Sequence, residues 1–415
     1  MDDLDAILDG AREAANAFAQ LGAIERNAIL NGFAASLVDN ADLIIAENLK
    51  DIDAARQSGV SEGLQDRIRL DADRVAGLAN SLRAIALLPD PLGEVVSGKT
   101  LPNGLKIEQI RVPFGVIGAI YEARPNVSVD IAGLAIKSGN VAVLRGGTAA
   151  AHSNAALVSV MQASLTHLGY SSAAVQTIDS LGRAGGVALM QARGRVDLLI
   201  PRGSAELIRT VVTESKVPVI ETGDGVVHMF IDESADPQMA LNLVVNSKTQ
   251  RPSVCNALET VLIHSRWAAA HLKALGEELA ARGVTLHACP RTRTLVPSAL
   301  AATADTWRSE YYSLDLSVRI VDSIDEALSH ISEYSTHHTE SIVTNDFGNA
   351  ERFLREVDSA VVMVNTATRF TDGGEFGFGA EVGISTQKLH ARGPMGVREL
   401  TSTKWLVRGS GQIRA

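Results

Sequence analysis

Asn246 to Thr260, NSKTQRPSVCNALET, holds one of the chain's two cysteines where a nucleophile would be exposed and aimed. The thiolate is the attacking form of cysteine, and nearby cations raise its fraction; Lys248 and Arg251 stand close in sequence. Apolar Met239, Leu243 and Val244 mark one helical face over the run Asp236 to Val245. Pro252 then stops the helix, and Leu258 to Ile263 reads as a buried strand. Cys255 therefore falls in a short helix-to-strand connection, where a rigid frame holds a residue that solvent can reach. The competing reading is a buried, inert thiol, since cysteine is among the most buried residue types.

Two strand-to-helix turns carry glycine. In Leu144 to Thr148, LRGGT, open backbone N–H groups at a helix start would make an anion site, and Arg145 would add a charge suited to the 2′-phosphate of NADP. Pro201 to Ser204, PRGS, repeats the arrangement one unit later. Neither matches GxGxxG, and a plain tight turn is the alternative. Asn126, after Arg124-Pro125, starts a helix and is either an N-cap or an amide donor toward an oxyanion, with the Cys255 N–H as second donor. Glu221 in ETGDG is a general base or a turn carboxylate. His337, His338 and His390 lack zinc spacing, so no metal is expected, and Cys289 before Pro290 reads as structural. No GxSxG or Walker sequence is present, which removes serine hydrolases and P-loop kinases.

These residues need a frame. Residues 1 to about 88 read as helices, with Leu4, Ile7, Leu8 and Ala11 on one face and further patterns over Ile24 to Leu37 and Val75 to Leu88. Asn103-Gly104 between alternating stretches of Gly93 to Val112 signals a long hairpin, a plausible oligomerisation arm. From Val116 strands and helices alternate: VIGAIY, Val127 to Lys137, VAVLR, Ala149 to Leu168, DLLIP, Ala205 to Glu214 and VPVI. A second alternation runs from Val226 to AVVMVN, so two α/β domains with parallel sheets are expected. Arg369 to Arg392 is glycine-rich and is expected to loop back over them.

A length of 415 residues suggests two or three domains, and 46% hydrophobic against 21% charged residues marks a soluble globular chain. Net charge −10 and 4% aromatic residues argue against nucleic acid, while a local Arg/Lys cluster still allows a small anion. No apolar run nears the roughly 20 residues that span a bilayer. Two cysteines and the acidic start MDDLDAILDG point to a reducing, cytoplasmic home.

The blocks VPFGVIGAIYEARPNV, KTQRPSVCNALET, HISEYSTHHTESI and RFTDGGEFGFGAEVGISTQKLHARGPMG make the chain resemble the aldehyde dehydrogenase superfamily over nearly its whole length. Within it, the chain looks like the phosphate-releasing reductases of proline biosynthesis. The resemblance implies an α/β fold of two doubly wound parallel-sheet domains plus an oligomerisation hairpin. The division expected is residues 1–225 for NADP binding, with the arm 93–112; 226–365 for catalysis; and 366–415 returning over the interface. It implies Cys255 as nucleophile toward the acyl carbon of L-glutamyl 5-phosphate, NADPH as hydride donor, and Asn126 as the side-chain half of the oxyanion hole. Arg145 with Gly146 and Gly147, Gly203-Ser204, and Glu310 in SEYYSLDL would face the cofactor. Arg124, Lys248, Arg251 and Arg369 are candidates for the substrate's carboxylate or phosphate, each with a structural ion pair as alternative. The matching block ETGD keeps Glu221, which a reductase does not need and is expected to turn away. A homo-oligomer built on the hairpin and the strand near Trp405 is also implied. Whether a glutamate 5-kinase hands over the acyl phosphate stays open.

Overall fold

Five helices open the chain in the computed structural model, which describes residues 2–414: α1 (Asp2–Phe18), α2 (Ala23–Asp39), α3 (Ala41–Gln57), α4 (Glu62–Ile68) and α5 (Ala72–Leu87). On α2, Ile29, Leu30, Phe33, Ala34 and Leu37 are fully buried and share one face, which is what ties the helix to its neighbours. The hairpin follows as β1 (Val95–Thr100) and β2 (Lys106–Pro113), with Gly104 at φ +85° in the turn, a conformation that favours glycine. The last long strand of the chain, Thr401–Arg408, pairs antiparallel with β2 and sets Trp405 opposite Gln109.

The alternation then runs β3 (Val116–Tyr121), α6 (Pro125–Lys137), β4 (Val141–Arg145), α7 (Ala151–His167), β5 (Val175–Thr177), α8 (Gly182–Gln191), β6 (Leu198–Arg202) and α9 (Ala205–Glu214). The four strands are parallel in the order β5-β4-β3-β6. Every residue of β3 is buried, as expected of a parallel strand covered on both faces. Two elements go beyond the sequence reading, β5 and α8. The segment VPVI, expected as a strand, makes only an isolated bridge between Val219 and Leu199, because Pro218 has no N–H to extend a ladder.

The second alternation is β7 (Val227–Ile231), α10 (Pro237–Thr249), β8 (Leu258–His264), α11 (Ser265–Ala281), β9 (Thr285–Ala288), α12 (Pro290–Leu295), β10 (Leu300–Ala301), β11 (Asp315–Val321), α13 (Ile324–Tyr334), β12 (Thr339–Val343), α14 (Phe347–Glu356) and β13 (Val361–Val364). They form a seven-stranded parallel sheet, β10-β9-β11-β8-β7-β12-β13. Alternate residues serve opposite faces: Val227, Met229 and Ile231 pack in one apolar cluster with Val244 and Leu272, whereas Phe230 packs in another with Ile331 and Phe353. Helices therefore cover both faces.

The chain divides into two compact units, one of residues 1–222, 377–383 and 395–415, the other of 223–376 and 384–394. The terminal segment expected at 366–415 is thus divided. Residues 366–376 belong with the second unit, where Thr368 donates from its hydroxyl to the Asn256 carbonyl at 2.8 Å and from its N–H to Ser247 Oγ at 3.1 Å. Among the described residues no single helix is long and apolar enough to cross a membrane.

Candidate active site

Cys255 lies, half-buried, in the turn between α10 and β8. Asp236 caps the start of α10 by accepting from the Met239 N–H, Pro237 occupies its first turn, and the helix ends at Thr249, ahead of Pro252. Two features missed from sequence hold the turn. Gly225 lies so close that a Cβ there would sit 1.6 Å from the Cys255 carbonyl oxygen, so only glycine fits. Asn256 is buried and donates to the Thr371 carbonyl at 2.7 Å, tying the turn to residues 368–371.

Gly225 also links the thiol to Glu310. The Gly225 backbone N–H and the Tyr312 hydroxyl, at 2.7 Å, donate to that carboxylate. Burial nevertheless pushes Glu310 up to about 7, helped by Asp224, and its Oε1 has no hydrogen-bond partner. Tyr312 stands at φ +56°. Burial first, then Glu310, raises its phenol, and Asp224 and Cys255 act on it in the same sense. The second unit thus brings Cys255, Gly225, Glu310 and Tyr312 together.

Of the basic candidates in this unit, Arg369 is half-buried, its Nε donating to Gln250 Oε1 at 2.8 Å. Burial lowers it first and Asp372 opposes; Arg251 also lowers it, while the Cys255 charge favours its ionised form. Arg251 is exposed. Those two guanidiniums lie within electrostatic reach of each other, and Arg369 within reach of the thiol. Lys248 does not belong with them: it is fully buried, and its Nζ meets Glu259 Oε2 at 2.7 Å. A charge committed to a buried partner cannot also meet substrate, so the structural ion-pair alternative is the one the structure shows.

In the first unit Asn126 is the second residue of α6, not its cap, because Arg124 holds the cap position and Pro125 the first turn. The Asn126 amide is exposed and donates to Asp130 Oδ2 at 3.0 Å, and burial pushes Asp130 up to about 6. The LRGGT turn differs from the expected anion cradle. Its Gly146 N–H already donates to Asp179 at 2.6 Å, and the N–H groups of His152 and Ser153 at the start of α7 donate to Asp51. Gly146 and Gly147 serve packing instead: a Cβ on Gly146 would meet the Asn154 amide at 2.0 Å, and one on Gly147 the Ala123 nitrogen at 3.3 Å. Arg145 lines a cavity of about 600 Å³ with Ser204, Thr148 and residues of α8 and α9. Ser204 caps α9, and its N–H donates to Glu122 Oε2 at 2.9 Å, with Gly203 pressed against the same carboxylate. Glu122, unremarked in the sequence, thus sits at the N-terminus of α9.

Glu221 is half-buried in an irregular segment beyond Val219. His338 is buried, its ring 2.8 Å from the Thr339 hydroxyl, and burial lowers it to about 4. Cys289 caps α12 beside Thr292. Among the described residues no three His, Cys, Asp or Glu side chains converge as metal ligands.

Comparison with known proteins decides the family. The aldehyde dehydrogenase family model matches residues 1–294. The gamma-glutamyl phosphate reductase of Clavibacter michiganensis is 60% identical over 413 residues, covering 100% of this chain and 96% of that protein. The chain belongs to the gamma-glutamyl phosphate reductases of the aldehyde dehydrogenase family. The crystal structure of the gamma-glutamyl phosphate reductase from Thermotoga maritima, 42% identical, superposes with TM-score 0.97 over 99% of this chain and 100% of that one. An acetylating aldehyde dehydrogenase from Geobacillus thermoglucosidasius shares the fold, with TM-score 0.71 at 16% identity over 100% of this chain and 98% of that one. The fold is thus of aldehyde dehydrogenase type, and membership of the reductase family makes this chain an oxidoreductase that uses a nicotinamide cofactor.

Proposed function

We propose that the chain reduces L-glutamyl 5-phosphate to L-glutamate 5-semialdehyde with release of phosphate, using NADPH, as a step of proline biosynthesis in the cytoplasm. The reading is carried by 60% identity along the full chain to a relative named for this reduction. In this scheme Cys255 Sγ attacks the acyl carbon as the thiolate, the carbon–oxygen bond to phosphate breaks, and phosphate leaves with its electron pair, leaving a thioester. When bound, NADPH supplies the hydride that brings the acyl carbon to the aldehyde level. Breakage of the carbon–sulfur bond then returns the Cys255 thiolate.

The chain's own residues are assigned around these steps. Arg251 and Arg369 meet the phosphate or carboxylate of the substrate from beside the thiol, and Arg124 is kept for the same task from the first unit. The Asn126 amide and the Cys255 N–H stabilise the oxyanion. A nicotinamide dinucleotide suits the residues present: the cavity beside Arg145 sets Val187, Met190, Leu207 and Val211 among polar residues, Gly203-Ser204 open α9 where the pyrophosphate would displace the Glu122 carboxylate from the Ser204 N–H, and Glu310 keeps an unpartnered oxygen for a ribose hydroxyl. Gly203 allows close approach there, while Gly146 and Gly147 shape the Arg145 turn. Glu221 takes no part. A homo-oligomer forms through the exposed β1–β2 hairpin and the strand of Trp405, and glutamate 5-kinase is the expected source of the acyl phosphate.

The test is oxidation of glutamate 5-semialdehyde with NADP, with and without phosphate, on the native protein and on Cys255→Ser. Turnover that needs phosphate and vanishes in the variant supports the scheme. Equal turnover without phosphate means that water resolves the thioester, and undiminished activity in Cys255→Ser removes the nucleophile.

A further inference from the structure

The cavity of about 600 Å³ in the first unit is walled by two helices that each present one stripe. From α8 come Arg183, Gly186, Val187 and Met190, spaced i, i+3, i+4, i+7. From α9 come Leu207, Thr210, Val211 and Glu214 at the same spacing. Between them apolar Val187, Met190, Leu207 and Val211 stand among polar and charged residues, a mixed lining of the kind that takes a nucleoside.

Two arginines line this cavity. Arg145 arrives from the end of β4 and lies along α8, its Nε 3.5 Å from where a Cβ on Gly186 would be. Arg183 enters from the first turn of α8 and is exposed. Neither arginine side chain makes a hydrogen bond or ion pair with a described residue, although the Arg145 charge is felt by Asp179. A cation in the first turn of a helix opposes the helix dipole, so the fold gains nothing from Arg183 at that place. The carboxylates of this region already have hydrogen-bond partners or belong to the other helix. Asp179 carries the Gly146 N–H and the Asn154 amide, and Glu122 carries the Ser204 N–H. Glu206 and Glu214 belong to α9.

We propose that Arg183, with Arg145, grips the phosphate on the 2′ position of the adenosine ribose, making Arg183 a residue that selects NADPH over NADH. This deepens the cofactor assignment above and rests on it. Two planar donors converging on one dianion give charge-assisted hydrogen bonds that a bare ribose hydroxyl cannot match.

The test is calorimetric titration of 2′,5′-ADP and 5′-AMP into the native protein, Arg183→Ala and Arg183→Lys, with KM for NADPH and NADH measured alongside. The native protein should prefer 2′,5′-ADP. Arg183→Ala should weaken 2′,5′-ADP about tenfold and leave 5′-AMP unchanged, with Arg183→Lys between. KM should rise for NADPH only, at constant kcat. Equal weakening of both nucleotides would assign Arg183 to the base and overturn the proposal, as would an unchanged affinity for 2′,5′-ADP in Arg183→Ala. If the native protein binds neither nucleotide while NADPH still supports turnover, the cavity is not the adenosine site and the proposal falls, but the reductase reading stands.

Discussion

The turn around Cys255 and the cavity between α8 and α9 handle charge in opposite ways. Behind the thiol, charges are settled inside the protein: Lys248 faces Glu259 at 2.7 Å with both fully buried. In the cavity, the side chains of Arg145 and Arg183 make no hydrogen bond or ion pair with a described residue, and Arg145 acts on Asp179 only at longer range. The difference follows from the tasks. A reacting atom needs one fixed position, so its surroundings are hydrogen-bonded and sterically closed, as Gly225 and Asn256 close the turn. A ligand pocket needs charge that only the ligand completes.

The contrast predicts where substitutions act on chemistry and where on folding. Cys255→Ala should lower turnover by roughly 10⁴-fold or more while unfolding free energy changes by about 1 kcal/mol or less, since the thiol is half-exposed and makes the covalent bond. Gly225→Ala is the steric counterpart. A Cβ 1.6 Å from the Cys255 oxygen forces the turn apart, so a loss on the order of 3 kcal/mol in denaturant unfolding, with loss of activity, is expected. If Gly225→Ala kept both, the turn would be softer than its packing implies.

Of the same order in stability is the buried pair. Lys248→Met leaves Glu259 alone in an apolar site and should cost about 3–5 kcal/mol, while Lys248→Met with Glu259→Leu should recover most of that. Arg145→Ala and Arg183→Ala should each change stability by about 0.5 kcal/mol or less, because no protein partner is stranded. Denaturant curves on these four variants compare the two regions directly. A costly Arg183→Ala would mean that the cavity's charges are structural after all.

How much of this was visible in the sequence varies with the physics. The Cys255 address was legible because Pro252 and the β-branched run Leu258 to Ile263 are strong local signals. α9 was legible as the helix Ala205 to Glu214 that follows the PRGS turn. Its partner wall was not: α8 carries Gly182, Gly185 and Gly186, and glycine's low helix propensity hides a helix that tertiary packing enforces. With α8 went Arg183. The partner of Lys248 and the role of Gly146 also escaped, since Glu259 and Asp179 lie 11 and 33 residues away and only the fold brings them near. Gly225 and Asn256 carried no signal at all, because a close backbone approach leaves no periodic trace.

The smallest effect concerns Glu310, which belongs to the closed region yet keeps an unpartnered Oε1. Burial raises it from 4.5 to about 7, so near neutral pH it is a mixture of acid and carboxylate. For a carboxyl raised on folding, the folded state binds the extra proton. Its contribution to stability is complete below the unfolded value of 4.5 and is lost as pH rises through about 7. Accepting a ribose hydroxyl needs the ionised form, so cofactor affinity should move the other way and rise several-fold between about pH 6 and 8. Glu259, pushed up to about 8, titrates over an overlapping window, so the native curves alone do not separate the two groups. Glu310→Gln does. It should flatten the affinity profile and remove the part of the stability slope nearest pH 7, leaving the Glu259 part. An affinity profile as steep in Glu310→Gln as in the native protein would take Glu310 out of the cofactor site and leave it among the internally settled charges around Cys255.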